Sequence, residues 1–145
     1  MLELLFVTLE KEEKLLDEMI NLAKQQQDAL ISYNQSRINT VTKLQESLSN
    51  KLKAIEDERI EMLMNWLELD RKNAMAIRLS MIESKLKGES LSRMKEYRKR
   101  MGSKVSELSQ TNRNNQILAA RAKRNNNRMM SLFATEDNKV CNVVV

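Results

Sequence analysis

Residues 2–30 read LELLFVTLEKEEKLLDEMINLAKQQQDAL, and the spacing of apolar side chains along this stretch decides the fold class. Leu2, Leu5, Leu9, Leu16, Met19, Ala23 and Leu30 follow one another at steps built from three and four residues, and only Glu12 and Gln26 interrupt the seam. Such steps return side chains to one face of an α-helix, so the stretch predicts a single long amphipathic helix. Beyond it, Ser32-Tyr33-Asn34-Gln35-Ser36 is a run of small polar groups that compete for backbone hydrogen bonds, which places a turn there with Ser36 as the expected cap. The seam resumes at Ile38, Val41, Leu48, Leu52, Ile55, Met62, Trp66 and Leu69, with Gln45 and Arg59 as its polar exceptions. A second long helix antiparallel to the first is expected.

The spacing slips around Leu69 to Asn73, where Asp70 suits a cap, and a shorter third helix is expected over Ala74, Ile77, Met81, Ile82 and Leu86. Gly88 suits a left-handed C′ position and Ser90 an N-cap, so a fourth helix is expected to start near Leu91. Its first half has an ordinary seam in Met94, Tyr97, Met101, Val105 and Leu108, but the seam then runs through Asn112, Asn115, Ala119, Ala122 and Asn126. Buried amides without partners cost about 1–3 kcal/mol each, so this second half is expected to lack a permanent partner within the chain. The expected architecture is all-α: an elongated antiparallel bundle or coiled coil of about four helices. Residues 1–133 form its helical domain, and residues 134–145, ending in Val140-Cys141-Asn142-Val143-Val144-Val145, form a flexible tail.

Composition agrees with helices and argues against catalysis. The 145 residues include no proline, two glycines and 31% charged but only 3% aromatic side chains. Histidine is absent, which removes the commonest general base and metal ligand, and the lone Cys141 has no neighbour placed to activate it. Gly88 and Gly102 belong to no phosphate-binding pattern, so no nucleotide, metal or other cofactor is expected. Glu56, Asp57, Glu58 and Glu61 lack the Glu-x-x-His partners of a di-iron bundle and read as a solvated face. The methionines, among them Met62, Met64, Met75, Met81, Met94, Met101, Met129 and Met130, read mainly as seam filler. Met129 and Met130 also suit an adaptable binding surface. Met1 to Glu13 lacks the basic and long apolar parts of a secretory signal, and no run is long enough to span a bilayer. A single cysteine suits a reducing compartment, so a soluble cytoplasmic protein without membrane insertion is expected.

Charge is divided along the chain. Residues 1–70 hold 8 Lys/Arg against 14 Asp/Glu and the remainder 17 against 6, giving −6 and +11. Acidic early helices should therefore attract the basic last one. The alternative is that Arg93, Lys95, Arg98, Lys99, Arg100, Lys104, Arg121, Lys123, Arg124 and Arg128 face nucleic acid or an acidic signalling partner. Tyr97 alone is no base-stacking platform, which disfavours nucleic acid. A structural coiled coil that homodimerises through the Leu2–Leu30 seam is the third reading.

Three stretches taken together resemble a known family. Gln27-Asp28-Ala29-Leu30 closes a Leu-rich first helix, Glu56-Asp57-Glu58-Arg59 lies midway through the second, and Leu108-Ser109-Gln110-Thr111-Asn112-Arg113-Asn114-Asn115 lies in the last. Their order and spacing, followed by Met129-Met130-Ser131-Leu132-Phe133, resemble the FlgN-type flagellar export chaperones over nearly the whole chain. The resemblance implies a cytoplasmic type III export chaperone. Its clients would be the C-terminal helices of the hook-filament junction proteins, shielded from premature association. The implied delivery partners are the flagellar export gate and components of its ATPase complex. It also implies a gate-docking aromatic after the last helix, commonly tyrosine, which Phe133 matches with the ring but without the hydroxyl. The valine-rich tail departs from the family pattern. Physical reasoning places the client on the under-filled face of the last helix, at Asn112, Asn115, Leu118, Ala119, Ala122, Met129, Leu132 and Phe133, where a client helix could approach closely.

Overall fold

The computed structural model describes residues 1–122, which are 89% helical and contain no strand. The elements are α1 (Leu2–Ile31), α2 (Gln35–Leu67), α3 (Arg71–Met75), α4 (Leu79–Glu83) and α5 (Gly88–Ala122). The tail at 134–145, Asn126, Cys141 and the candidate residues Met129, Met130, Leu132 and Phe133 lie outside the described residues.

Three long helices do most of the packing, and the expected third helix is two short pieces. Asp70 caps α3 by accepting from Asn73 N at 2.8 Å, and the chain breaks again at Arg78, whose extended backbone starts α4. The break leaves Met75 and Met81 exposed rather than in the seam, while Ala74, Leu79, Ile82 and Leu86 enter the core. The α1–α2 turn is capped by Asn34, which accepts from Arg37 N at 3.1 Å, and not by Ser36. Asn34 wins because Tyr33 already turns the chain, with a left-handed φ of 54°. Gly88 has the expected positive φ, 63°, but α5 starts at Gly88 itself and Ser90 lies inside the helix.

α2 runs antiparallel to α1. Chain direction along α5 follows that of α1, because successively later residues of the two helices meet. Arg93 reaches Glu3 and Glu10, Lys104 reaches Asp17, and Asn115 reaches Ala23 and Gln26. The connecting segment α3–α4 is too short to carry the chain back along the bundle, so α5 is parallel rather than antiparallel to α1. Among the described residues α2 and α5 nowhere bring Cα atoms within 8 Å of each other, and α1 is the element both share.

The main core gathers Leu5, Leu9, Leu16 and Met19 of α1, Leu48, Ile60 and Leu63 of α2, and Met94, Tyr97, Met101 and Leu108 of α5. Met94 and Met101 fill this core as expected of thioethers. A second, separate cluster of Ala29, Leu30, Ile38, Ala119 and Ala122 closes the end of the bundle at the α1–α2 turn.

Candidate functional site

The polar exceptions of the two long seams find one another. Glu12 meets Arg59, with Nε 3.2 Å from Oε1, and Gln26 meets Gln45 through reciprocal amide hydrogen bonds of 3.0 and 3.1 Å. Fourteen residues separate Glu12 from Gln26 and fourteen separate Gln45 from Arg59. Two antiparallel helices can form both pairs in one register only when those separations agree, so the two polar layers fix how α2 lies on α1. A sequence search for equal spacing among seam exceptions would have paired them in advance.

The layers differ chemically. Glu12 and Arg59 are almost fully buried, and neither Glu12 Oε1 nor Arg59 Nε has a directed hydrogen bond despite lying within ion-pair reach. Burial pushes the Glu12 carboxyl up to about 7, with Arg59 opposing the rise and Glu56 adding to it. Tyr97 of α5 lies against α1 nearby, donates its hydroxyl to the Leu9 carbonyl at 2.8 Å and keeps its proton well above the usual phenol range because it is buried.

The amide layer reaches the candidate face of α5. Asn115 Nδ2 donates to the Ala23 carbonyl at 2.9 Å and to Gln26 Oε1 at 3.1 Å, so Gln26 ties all three long helices together. Asn115 Oδ1 has no partner, though the residue is 1% exposed. Ala119 and Ala122 are buried against Ala29, Leu30 and Ile38, with Leu118 half-buried beside them. Asn112 is half-buried at the margin. The second half of this helix therefore does have a partner within the chain, contrary to the expectation from its seam. The physical reason is complementary: Gln26 supplies an amide for Asn115, and Ala29 supplies a small surface that the α5 alanines can approach. Sequence reading named Gln26 only as an interruption and did not include Ala29 in the site.

Several residues of the basic face are paired with acids of α1 and α4, while Arg93, Lys95, Lys99, Arg100 and Arg121 stay exposed. Arg93 stacks over the Phe6 ring at 4.0 Å and pairs with Glu3 and Glu10, Arg100 pairs with Glu13, and Lys104 with Glu13 and Asp17. Arg98 pairs with Glu83 of α4. Glu13 is held below the usual carboxylate range, first by its hydrogen bond from Arg100 and then by Lys104, against partial burial. Lys95, Arg98, Lys99, Gly102 and Ser103 line an open depression on α5. Lys123, Arg124 and Arg128 of the same basic set lie outside the described residues. Of the carboxylate cluster, Asp57 pairs with Arg71, and Glu58 and Glu61 are exposed.

Long helices held by polar layers, with a small-residue seam at one end, define an all-helical scaffold. The chain belongs to the FlgN family: the family profile described as FlgN protein matches residues 1–142 of the 145. It is thus a flagellar export chaperone in the general sense, from a family of chaperones and not of enzymes. No curated protein and no solved structure matches it. No helix among the described residues is long and apolar enough to cross a membrane.

Proposed function

We propose that the protein binds the C-terminal helices of the hook-filament junction proteins in the cytoplasm, prevents their premature association and delivers them to the export gate. The binding face is that of Asn112, Asn115, Leu118, Ala119 and Ala122, continued by Met129, Leu132 and Phe133 in the same domain. The observation that supports this reading most is the composition of the distal α5 seam. Its buried residues are Thr111, Asn115, Ala119 and Ala122, so little apolar area holds it to α1, whereas the proximal half is held by Met94, Tyr97, Met101 and Leu108. A client helix offering larger apolar side chains would gain more contact there than α1 supplies.

Calorimetric titration with a peptide copying the last helix of a junction protein tests this. Leu118→Asp should weaken binding by about tenfold or more, because it places an unpaired charge at the rim of the contact. Ile117→Asp, on the exposed opposite side of the same helix, should bind as the unaltered chain does. Equal affinities for both variants would remove the client from this face.

A further inference from the structure

We infer that the Gln26–Gln45–Asn115 amide layer is the latch that decides whether the α5 face is available, with Gln26 and Gln45 as positioning residues that never touch the client. The inference rests on the client reading above and adds how that site is regulated. Three independent features of the structure converge on it. The distal end of α5 belongs to a small cluster of its own, Ala29, Leu30, Ile38, Ala119 and Ala122, separate from the main core. The ladder of ion pairs that pins α5 to α1 ends, among the described residues, at Lys24–Glu107. From Leu108 onward no ion pair to α1 occurs among the described residues, and the alanine cluster, with Leu118 packed beside it, and the two hydrogen bonds donated by Asn115 contribute to the attachment. The third feature is the Asn115 carbonyl oxygen, which is buried and has no partner in the closed state.

These features make the closed state self-limiting. Asn115 satisfies both of its donors on α1 but leaves its acceptor dry, a situation that exposure to water or to a donor on a client helix would relieve. Gln26 and Gln45 bond each other reciprocally, so the α1–α2 hairpin keeps its own amide layer satisfied when α5 departs. Opening thus strands no polar group on the hairpin. The client then binds only the open fraction, and its apparent affinity is reduced by the closed fraction.

Hydrogen exchange on the full chain, paired with titration of the junction-protein peptide, tests the latch. Replacing both hairpin amides, Gln26→Leu with Gln45→Leu, leaves every residue of the client face intact while removing an acceptor from Asn115. Amide exchange over 109–122 should quicken about tenfold and the peptide should bind about tenfold more tightly, with protection at Leu5–Leu16 and Leu52–Leu63 unchanged. Asn115→Leu, which removes both hydrogen bonds to α1, should quicken the same exchange, with peptide affinity read on the hairpin double variant alone because Asn115 itself belongs to the client face. Unchanged exchange over 109–122 in both variants would overturn the latch, as would altered exchange with unmoved peptide affinity. If the unaltered chain ignores the peptide while exchange still responds, it is the client reading that fails, and the regulatory role falls with it.

Discussion

Glu12 is 3% exposed in an apolar seam, and its carboxyl retains its proton to about pH 7 because burial penalises the charged form more than Arg59 rewards it. The direction sets a pH dependence opposite to that of an ordinary paired carboxylate. Below about 4.5 the group is protonated in both folded and unfolded chains and contributes nothing. Between about 4.5 and about 7 the unfolded chain releases the proton first, so stability falls as pH rises, by roughly 3 kcal/mol in all. Glu13, held low by Arg100 and Lys104, acts the other way: its contribution is present above its unfolded pKa and is lost as pH falls through its lowered folded value. Urea unfolding should therefore show a higher midpoint near pH 5.5 than near pH 7.5. Glu12→Gln, which keeps the shape and removes the titration, should flatten that difference. An equal slope in the variant would mean that Glu12 is ionised throughout and that Arg59 outweighs burial. Removing Arg59 instead, as Arg59→Met, should strengthen the pH dependence, since the one group opposing the rise is gone.

At the scale of elements, the α1–α2 turn holds two adjacent residues with opposite expected effects. Tyr33 is exposed and adopts a left-handed φ of 54°, which a side chain tolerates poorly and glycine accepts freely. Asn34 accepts from the Arg37 amide, satisfying one of the open donors at the start of α2. Tyr33→Gly should stabilise the protein by roughly 0.5–1 kcal/mol, and Asn34→Ala should destabilise it by about 1 kcal/mol, both measured by urea unfolding. Loss of stability in Tyr33→Gly would show that the ring makes contacts its exposure does not suggest. Local chemistry of this kind explains what was legible in the sequence. The long seams and the breaks near residue 34, at Asp70 and at Gly88 depend on nearest neighbours and were readable. Which polar group would cap α2 was not, since Asn34 and Ser36 are both competent and the left-handed Tyr33 decides between them. The splitting of the third helix was also hidden, because Met81 fits the 3.6-residue period yet is left outside by the break at Arg78. The candidate face was readable in composition, through Asn115, Ala119 and Ala122, but not in its attachment. Gln26 and Asn115 lie 89 residues apart, and no local pattern says that they meet.

Over the whole molecule, charge distinguishes the two attachments to α1. By residue counts α1 carries three Lys against seven Asp/Glu, a net −4; α2 carries five of each sign, and α5 carries eight Lys/Arg against three Glu, a net +5. The hairpin of α1 with neutral α2 is therefore held by its apolar seam and its two polar layers. α5 is drawn to α1 electrostatically as well, through Arg93, Arg100, Lys104 and Glu107. Each exposed pair contributes only about 0.2–1 kcal/mol, but these pairs share partners along one ladder and are screened together. Raising salt from about 20 mM to about 500 mM should therefore lower the melting temperature by a few degrees, since about 1 kcal/mol corresponds to roughly 2–8 °C in a domain of this size. The loss should be localised. Exchange should quicken along α5, and α1–α2 protection should hold because screening does not touch its buried layers. Glu13→Lys sharpens the test, for it removes the carboxylate that Arg100 and Lys104 share, leaves Lys104 with Asp17 alone, and sets a like charge beside both. That variant should be less stable at low salt and recover part of the difference at high salt, where repulsion is screened. A variant equally destabilised at both ionic strengths would show that packing around Glu13, rather than the charge ladder, holds α5 in place.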